Sequence, residues 1–567
     1  MVGVVSMGLQ NFGGNLHIKN LLFIGHNSDI SCANLSIFSN LSVTNLPILS
    51  PIFLLILASI IFILFYLYKT SELMNKKKLI SILAVTIFLF LIISFLSIQQ
   101  NRPPKIKFRL TLIPFQSNST ASQLSWMGDA LWNMTAQQLQ HSVAPEAIIT
   151  PVEWIQTVIK VDSMHDLVYL KKLTNRLKVE YFLTGKISRE TETPNFNYRM
   201  INIKNGTVII NHSLSLIPQN LPEISTRICN EILRYFNFES KIGESNIRYT
   251  SPESYQKYLK GKELYQQKNY QAAIDLAQQS IATDSSIVEA YLLAAKSYFM
   301  KGVEKKAKGD SPVEEFGHAK NWLNQAVALD SSNEEAYDFL GEYYIYQERW
   351  SLAEQMLLRA YQLNPNQPRL YLSLSRLHQS RYQKLGFKNE EQLYRRAIFI
   401  NPCYEDGYLM LADYYLFENQ RDKAIQLLEQ FLEIDPDSVP VLMALGKIYL
   451  VRNEILKIIK TYNHILELEP NNSDAYYNLG ILYYNSKDFD NAEKFLKRAI
   501  AIDNHLNAHL YLAYLYEIKG ENDKAIEQLR QRMRYRKGLD DEFAEEARKH
   551  LFKILHPDST YPDVVME

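Results

Sequence analysis

His505 and His509 stand four residues apart, a spacing at which two imidazoles on one helical face could share a zinc ion. The register of the C-terminal repeats, set out below, instead assigns His505 to a turn, so no metal is expected there. Gly8, Gly13 and Gly14 echo the spacing of a phosphate-binding loop. The Lys and Ser/Thr that would hold phosphate and magnesium are missing and no amphipathic helix follows, so this stretch reads as a flexible tail. Cys32, Cys229 and Cys403 are too few and too far apart for a disulfide framework or a paired-ligand zinc cluster. No local grouping of His, Asp and Ser suggests a nucleophilic triad. The residues therefore point to no enzyme, no cofactor and no metal, and what remains is binding. Lys plus Arg number 61 and Asp plus Glu 61, a balance that gives a polyanionic partner such as nucleic acid no purchase.

A chain of 567 residues is too long for one hydrophobic core. Residues 48–68 and 79–98 are uncharged runs of 21 and 20 residues, each long enough as a helix to cross a bilayer. They predict two transmembrane helices. The loop 69–78 between them carries Lys69, Lys76, Lys77 and Lys78 against Glu72, which places it in the cytoplasm by the positive-inside rule. The short tail 1–46 has only Lys19 and Asp29 and would cross cheaply, although Arg102, Lys105 and Lys107 after the second span argue the other way.

Residues 107–240 predict a small α/β domain. Phe108, Leu110 and Leu112 alternate with polar neighbours as in a half-buried strand, and Leu124, Met127, Leu131 and Met134 recur on one helical face. A short apolar run at 147–150, stopped by Pro151, leads into 152–159, and a helix at about 164–177 feeds a strand at 179–187. Then comes a hairpin whose Asn205-Gly206 suits a type I′ turn. The order of elements, Leu-Ile-Pro-Phe at 112–115, Trp126 in the first helix and Val-Glu-Tyr-Phe-Leu-Thr-Gly at 179–185 together resemble the TolB amino-terminal-like domain. That resemblance implies a bacterial domain lying on the periplasmic side of the inner membrane, and so both flanks of the spans outside the cytoplasm.

Residues 254–539 repeat themselves. Ala336-Tyr337, Leu340-Gly341, Tyr344, Ala353, Leu357 and Ala360 recur as Gly407-Tyr408, Leu411-Ala412, Tyr415, Ala424 and Leu428, and again as Ala475-Tyr476, Leu479-Gly480, Tyr483, Ala492, Leu496 and Ala499. The period is 34, and these residues match the tetratricopeptide-repeat (TPR) family. Eight repeats fit, the second with about twelve extra residues around 302–316, placed in the turn between its helices, and the fourth a few residues long around 383–389. Small residues at the eighth and twentieth positions let paired helices approach, and large apolar ones fill the space between repeats. The fold class is thus mainly α: a TPR α-solenoid superhelix preceded by a small α/β domain and two transmembrane helices. A C-terminal helix at 540–556 should cap it through Phe543, Ala547, Leu551 and Leu555.

In such an array the second, fifth, ninth and twelfth residues of each first helix line the concave face. Tyr258, Tyr265, Phe299, Arg369, Arg376, Leu416, Leu450, Tyr477 and Tyr484 are the candidate partner-binding residues there. Their mix of apolar and charged types suits a protein or peptide partner rather than a uniformly charged polymer. The expected function is a membrane-anchored scaffold whose partners are proteins or peptides and, through the spans, the lipid bilayer, with the bulk of the chain periplasmic at a bacterial inner membrane. The domain combination also resembles the sensory half of CadC-type transmembrane transcription regulators. Only 46 residues precede the first span, too few for a DNA-binding domain.

Overall fold

A computed structural model of the 567-residue chain describes residues 9–12, 15–18, 106–117, 122–143, 146–150, 178–188, 193–238, 251–307, 310–535 and 541–557. The spans 48–68 and 79–98, the loop 69–78 and the elements expected at 152–177 lie outside the described residues. Among the described residues, no helix is long and apolar enough to cross a membrane.

The chain divides into two compact units, residues 1–102 with 380–388, and the remainder. In the first, β1 (Leu9–Phe12) and β2 (Asn15–Ile18) pair antiparallel with Phe12 opposite Asn15, a hairpin where the sequence reads as a flexible tail. Gly13 and Gly14, between them in sequence, are residues that two-residue hairpin connections favour.

The second unit begins with a sheet of β3 (Phe108–Leu112), β4 (Gln116–Ser117), β5 (Ala147–Thr150), β6 (Tyr181–Ser188), β7 (Asn195–Asn202) and β8 (Thr207–Ser215) in the order β5-β3-β6-β7-β8, with β4 beside β6. β3 is parallel to β5 and β6, and the β6-β7-β8 end is antiparallel. Two helices, α1 (Ser122–Val143) and α2 (Leu221–Tyr235), pack into the same core as one sheet face. Trp132 Nε1 donates to the Leu112 carbonyl at 3.1 Å. Gly128 lets α1 approach, since an added Cβ would stand 2.8 Å from the Phe115 carbonyl oxygen. The β7–β8 connection departs from the expected type I′ turn. It has four residues, 203–206, and only Gly206 among them has positive φ, at 72°. The ladder slips between Met200 and Ile201, and that irregularity accompanies the longer loop.

Strand β3 is not half-buried as its alternation suggests: Arg109 and Thr111 are as enclosed as the apolar residues beside them. The reason is a second covering on the sheet's other face, where Ile113, Val179, Phe182 and Ile201 share a core with Tyr394, Cys403 and Tyr408 of the repeats.

Eight helix pairs follow: α3 (Pro252–Gln266) with α4 (Tyr270–Thr283), α5 (Val288–Ala307) with α6 (Val313–Leu329), and α7 (Glu334–Tyr346) with α8 (Trp350–Leu363). The fourth pair is α9 (Pro368–Ser375) with α11 (Glu390–Ile400), the short α10 (Gln379–Tyr382) intervening. Then come α12 (Glu405–Phe417) with α13 (Arg421–Leu432), α14 (Val439–Arg452) with α15 (Ile455–Leu468), α16 (Ser473–Asn485) with α17 (Phe489–Asp503), and α18 (Leu506–Ile518) with α19 (Asn522–Arg534). The extra residues of the second pair lengthen its helices to 20 and 17 residues instead of forming a long turn. The extension holds because Gly302 leaves room for Phe316, whose ring would lie 2.7 Å from an added Cβ.

In six pairs the first helix ends on a left-handed residue: Lys268, Glu348, Asn419, Asn453, Lys487 and Gly520. Each time, that residue's N–H reaches back three residues and the next N–H reaches back five, as Asn453 to the Leu450 carbonyl and Glu454 to the Tyr449 carbonyl. This is a Schellman cap, and it turns the chain sharply into the second helix. The final helix α20 (Glu542–Leu555) packs through Ala544, Ala547, Leu551 and Ile554, while Phe543 and Leu555, expected in the cap face, are exposed. Arg532 and Asp541, both buried, pair at 2.5 Å between α19 and α20.

Candidate functional site

The α/β domain packs against part of the first-helix face that the sequence singles out for partner binding. Tyr258 is 5% exposed and belongs to one core with Leu131, Leu139 and Ile228. One turn further along α3, Lys262 Nζ donates to Asn133 Oδ1 of α1 at 2.7 Å. His141 Nδ1 lies 3.3 Å from Glu334 at the start of the third pair. Asn366 donates to the Ala147 carbonyl at 3.0 Å, and Arg109 donates to the Phe399 carbonyl at 2.8 Å while lying 4.6 Å from that residue's ring centre. Burial, with Arg396 adding to it, lowers the Arg109 pKa to about 10, so it is the backbone carbonyls that keep the guanidinium in place.

The middle of the array holds an internal ion network. Arg369 lies 2.7 Å from both Asp338 Oδ2 and Glu342 Oε2, with its guanidinium 3.6 Å from the Phe339 ring centre. Ser373 donates to Glu342 at 3.1 Å, and Arg376 lies 3.7 Å from the same carboxylate and 4.9 Å from the Tyr346 ring centre. Burial alone would depress the Arg369 pKa, but Glu342 and Asp338 outweigh it and hold the guanidinium above its ordinary value.

The candidate residues therefore fall into distinct settings. Tyr258 and Phe299 are buried, Phe299 in ring contact with Phe316, Phe339 and Tyr346. Tyr265 is half-buried at 5.6 Å from the Tyr270 ring, and Arg369 and Arg376 are held by neighbouring carboxylates. Leu416 and Leu450 lie half-buried along one core, and Tyr477 and Tyr484 are half-buried in an aromatic group at the C-terminal end.

That group is organised by Tyr511, whose ring meets Tyr477 at 5.8 Å, Tyr484 at 5.7 Å and Tyr514 at 5.8 Å, each edge-on. His505 stacks on Tyr477 at 4.3 Å. Its Nδ1 accepts from Ala508 N–H as the N-cap of α18, and its Nε2 is 3.0 Å from Asp474. His509 turns instead to Gln528 and Asn504, at 2.7 and 2.9 Å. Among the described residues, no cluster of His, Cys, Asp and Glu could hold a metal ion.

Sequence reasoning missed Tyr511 because it is the sixth residue of its repeat, outside the positions taken as concave; its spacing of three from Tyr514 was the available signal. It also missed Arg109, Asn133 and His141, which carry no local pattern.

The class of fold is seen directly in two stretches: residues 473–505 match the tetratricopeptide repeat family, and residues 405–448 match it as well. Among solved structures, a crystal structure of MamA is 23% identical over 28% of this chain and 92% of its own, with a TM-score of 0.24. Another of MamA protein is 21% identical over 34% and 98%, at 0.25. The crystal structure of the APC/C hetero-tetramer Cut9-Hcn1 is 16% identical over 59% of this chain and 60% of its own, at 0.38. No curated protein matches this sequence. Tetratricopeptide repeats point to a protein-interaction scaffold.

Proposed function

We propose that the protein is a non-catalytic, membrane-anchored scaffold that binds a protein or peptide partner on the first-helix face of its C-terminal repeats. The supporting observation is a division of that face. Its N-terminal part is covered by the chain's own α/β domain, whereas Leu416, Leu450, Tyr477 and Tyr484 keep half-open side chains beyond it. Partly open apolar and aromatic anchors are what interfaces use for most of their energy, each typically worth more than about 1 kcal/mol. Replacing Leu416, Leu450 and Tyr484 by Ala should weaken partner capture from detergent-solubilised membranes about tenfold, with helicity retained. Capture unchanged by this variant, or by deletion of 254–555, would rule the reading out.

The bilayer contact rests on the uncharged runs 48–68 and 79–98, and the periplasmic placement on the lysines of 69–78 and the TolB-like resemblance of the α/β domain. An alkaline phosphatase fusion at Glu567 should be active; an inactive one would reverse the topology. A second reading, the sensory half of a CadC-type regulator, is favoured by the docking of the α/β domain on the array through Arg109 and Lys262, since a sensor needs its modules coupled. It requires a separate DNA-binding protein to co-purify with the chain.

A further inference from the structure

We propose that a cavity on the second helix of the seventh repeat pair binds an acidic segment of a protein partner, through an aromatic or aliphatic side chain flanked by carboxylates. The inference goes beyond the first-helix site proposed above, because it adds a second docking site carried by a different helix.

The cavity measures about 430 Å³ and is lined by Tyr476 of α16 with Lys494, Phe495, Lys497 and Arg498 of α17. Its floor is aromatic. Phe495 stacks on Tyr483 with ring centres 5.2 Å apart and lies 6.1 Å from the Tyr476 ring, all three rings being half-buried. The cations around this floor are exposed. Lys497 pairs with Glu493 at 2.7 Å. Lys494 and Arg498, one helical turn apart, form no ion pair among the described residues; Arg498 donates to Asn471 Oδ1 at 3.4 Å and lies 5.7 Å from the Tyr476 ring centre. The carboxylates of α17 are committed elsewhere: Glu493 to Lys497 and Lys519, Asp490 to Lys519, and Asp503 to the Ser473 hydroxyl. In the preceding turn Glu469 accepts from Asn472, and Glu467 lies 3.5 Å from His464. Lys494 and Arg498 are thus left without a counterion.

Helix pairing does not require these cations. In the third pair Arg359 lies 5.9 Å from the Tyr337 ring centre, the counterpart of Arg498 over Tyr476, yet Gln355, Met356 and Leu358 stand where Lys494, Phe495 and Lys497 do. Like charges one turn apart on a helix repel, so Lys494 and Arg498 carry a small cost in the free protein that a carboxylate set between them would relieve. The occupant must therefore bring negative charge for the rim and an apolar group for the floor. An extended acidic segment supplies both, because alternate side chains share one face and a phenylalanine can be flanked there by glutamates. A polyanion without apolar groups would meet the rim and leave the aromatic floor unused.

The test uses the full-length protein in detergent micelles and four fluorescein-labelled peptides, read by fluorescence anisotropy. Three of them repeat Glu-Gly-Phe-Gly, Gln-Gly-Phe-Gly or Lys-Gly-Phe-Gly, and the fourth repeats Glu-Gly-Ser-Gly. The first should bind about fivefold tighter than its glutamine counterpart, and the lysine peptide more weakly than either. It should also bind about fivefold tighter than the serine peptide, which has nothing to place on the rings. Lys494→Gln with Arg498→Gln should remove the preference for glutamate, whereas Lys494→Arg with Arg498→Lys, which keeps both charges, should retain it within about twofold. Lys524→Gln with Arg530→Gln, exposed on α19, should leave the affinity unchanged. Glutamate and glutamine peptides bound alike, phenylalanine and serine peptides bound alike, or an equal loss from the α19 variant would each overturn the proposal. The Leu416, Leu450 and Tyr484 replacement should weaken partner capture while leaving the peptide affinities within about twofold. Capture lost in that variant, with no glutamate preference in the unaltered protein, removes only the second site. Glutamate preference through Lys494 and Arg498, with capture unaffected by that replacement, upholds the cavity and removes the first-helix reading.

Discussion

Gly341 lies so close to Leu357 that a Cβ on the glycine would stand 2.5 Å from a Leu357 methyl carbon. The two residues lie on α7 and α8, and Ala353, on the same helix as Leu357, is fully buried as well. Gly341→Ala and Ala353→Leu should each destabilise the protein by roughly 1–3 kcal/mol in denaturant titrations, because the leucine has no free space to enter. Gly317 is the counter-case: it is helical, and nothing lies within 4 Å of its missing Cβ. Gly317→Ala should stabilise by about 0.5–1 kcal/mol through helix propensity alone.

Lys487 holds φ at 60° in the cap that ends α16. A lysine there bears the left-handed strain that glycine escapes, so Lys487→Gly should be neutral to stabilising, by up to about 1 kcal/mol. Lys487→Val should destabilise by more than that, and melting temperatures of the two variants would separate the outcomes. A common effect of both would show that the cap geometry contributes nothing.

Two acids should respond to pH with opposite sign. Burial, with Glu263 adding to it, raises Asp129 to about 6, so the folded state holds a proton that the unfolded chain releases between pH 4 and 6. Its contribution to stability therefore declines as pH rises through that window, and Asp129→Asn should raise stability at pH 7 and flatten the profile. Glu493 is held down to about 2 by hydrogen bonds from Lys497 and Lys519, with Tyr516 helping. Its contribution is complete above about pH 4.5 and is lost as pH falls toward 2, so Glu493→Gln should remove acid sensitivity there.

Arg109 joins residues 290 apart in sequence, through its bond to the Phe399 carbonyl. Arg109→Ala would remove the donor to that part-buried carbonyl, at a cost of about 1 kcal/mol. Hydrogen exchange should quicken in β3, β5 and the 399–402 turn together, which is the readout. Faster exchange confined to the sheet would mean that the docking does not depend on this residue.

The mainly helical character and the contacts of Gly341, Leu357 and Ala353 are legible in the sequence because each repeats the same demand every 34 residues: two helices must approach, and only small residues permit it. The docking of the α/β domain is not legible. Arg109 and Asn133 bond through groups whose partners are set by tertiary placement, and the alternation of β3 predicts a wet face that the array in fact covers. Phe543 and Leu555 mislead for a related reason. A capping helix can present either of two neighbouring apolar stripes, and the smaller one, built on Ala544 and Ala547, fits the close approach to α19.

The left-handed residues Asn419, Asn453 and Lys487 stand 34 apart, which makes them natural cut points. Excising 420–453, or duplicating it, joins one cap to the chain that follows another and preserves the phase of every downstream helix. A block one residue longer or shorter would rotate any helix it enters by about 100° and turn its apolar stripe away from its neighbours. The array can thus be shortened or extended by whole repeats, and protein engineers could move its C-terminal tyrosines along it in steps of one repeat without redesigning the group itself.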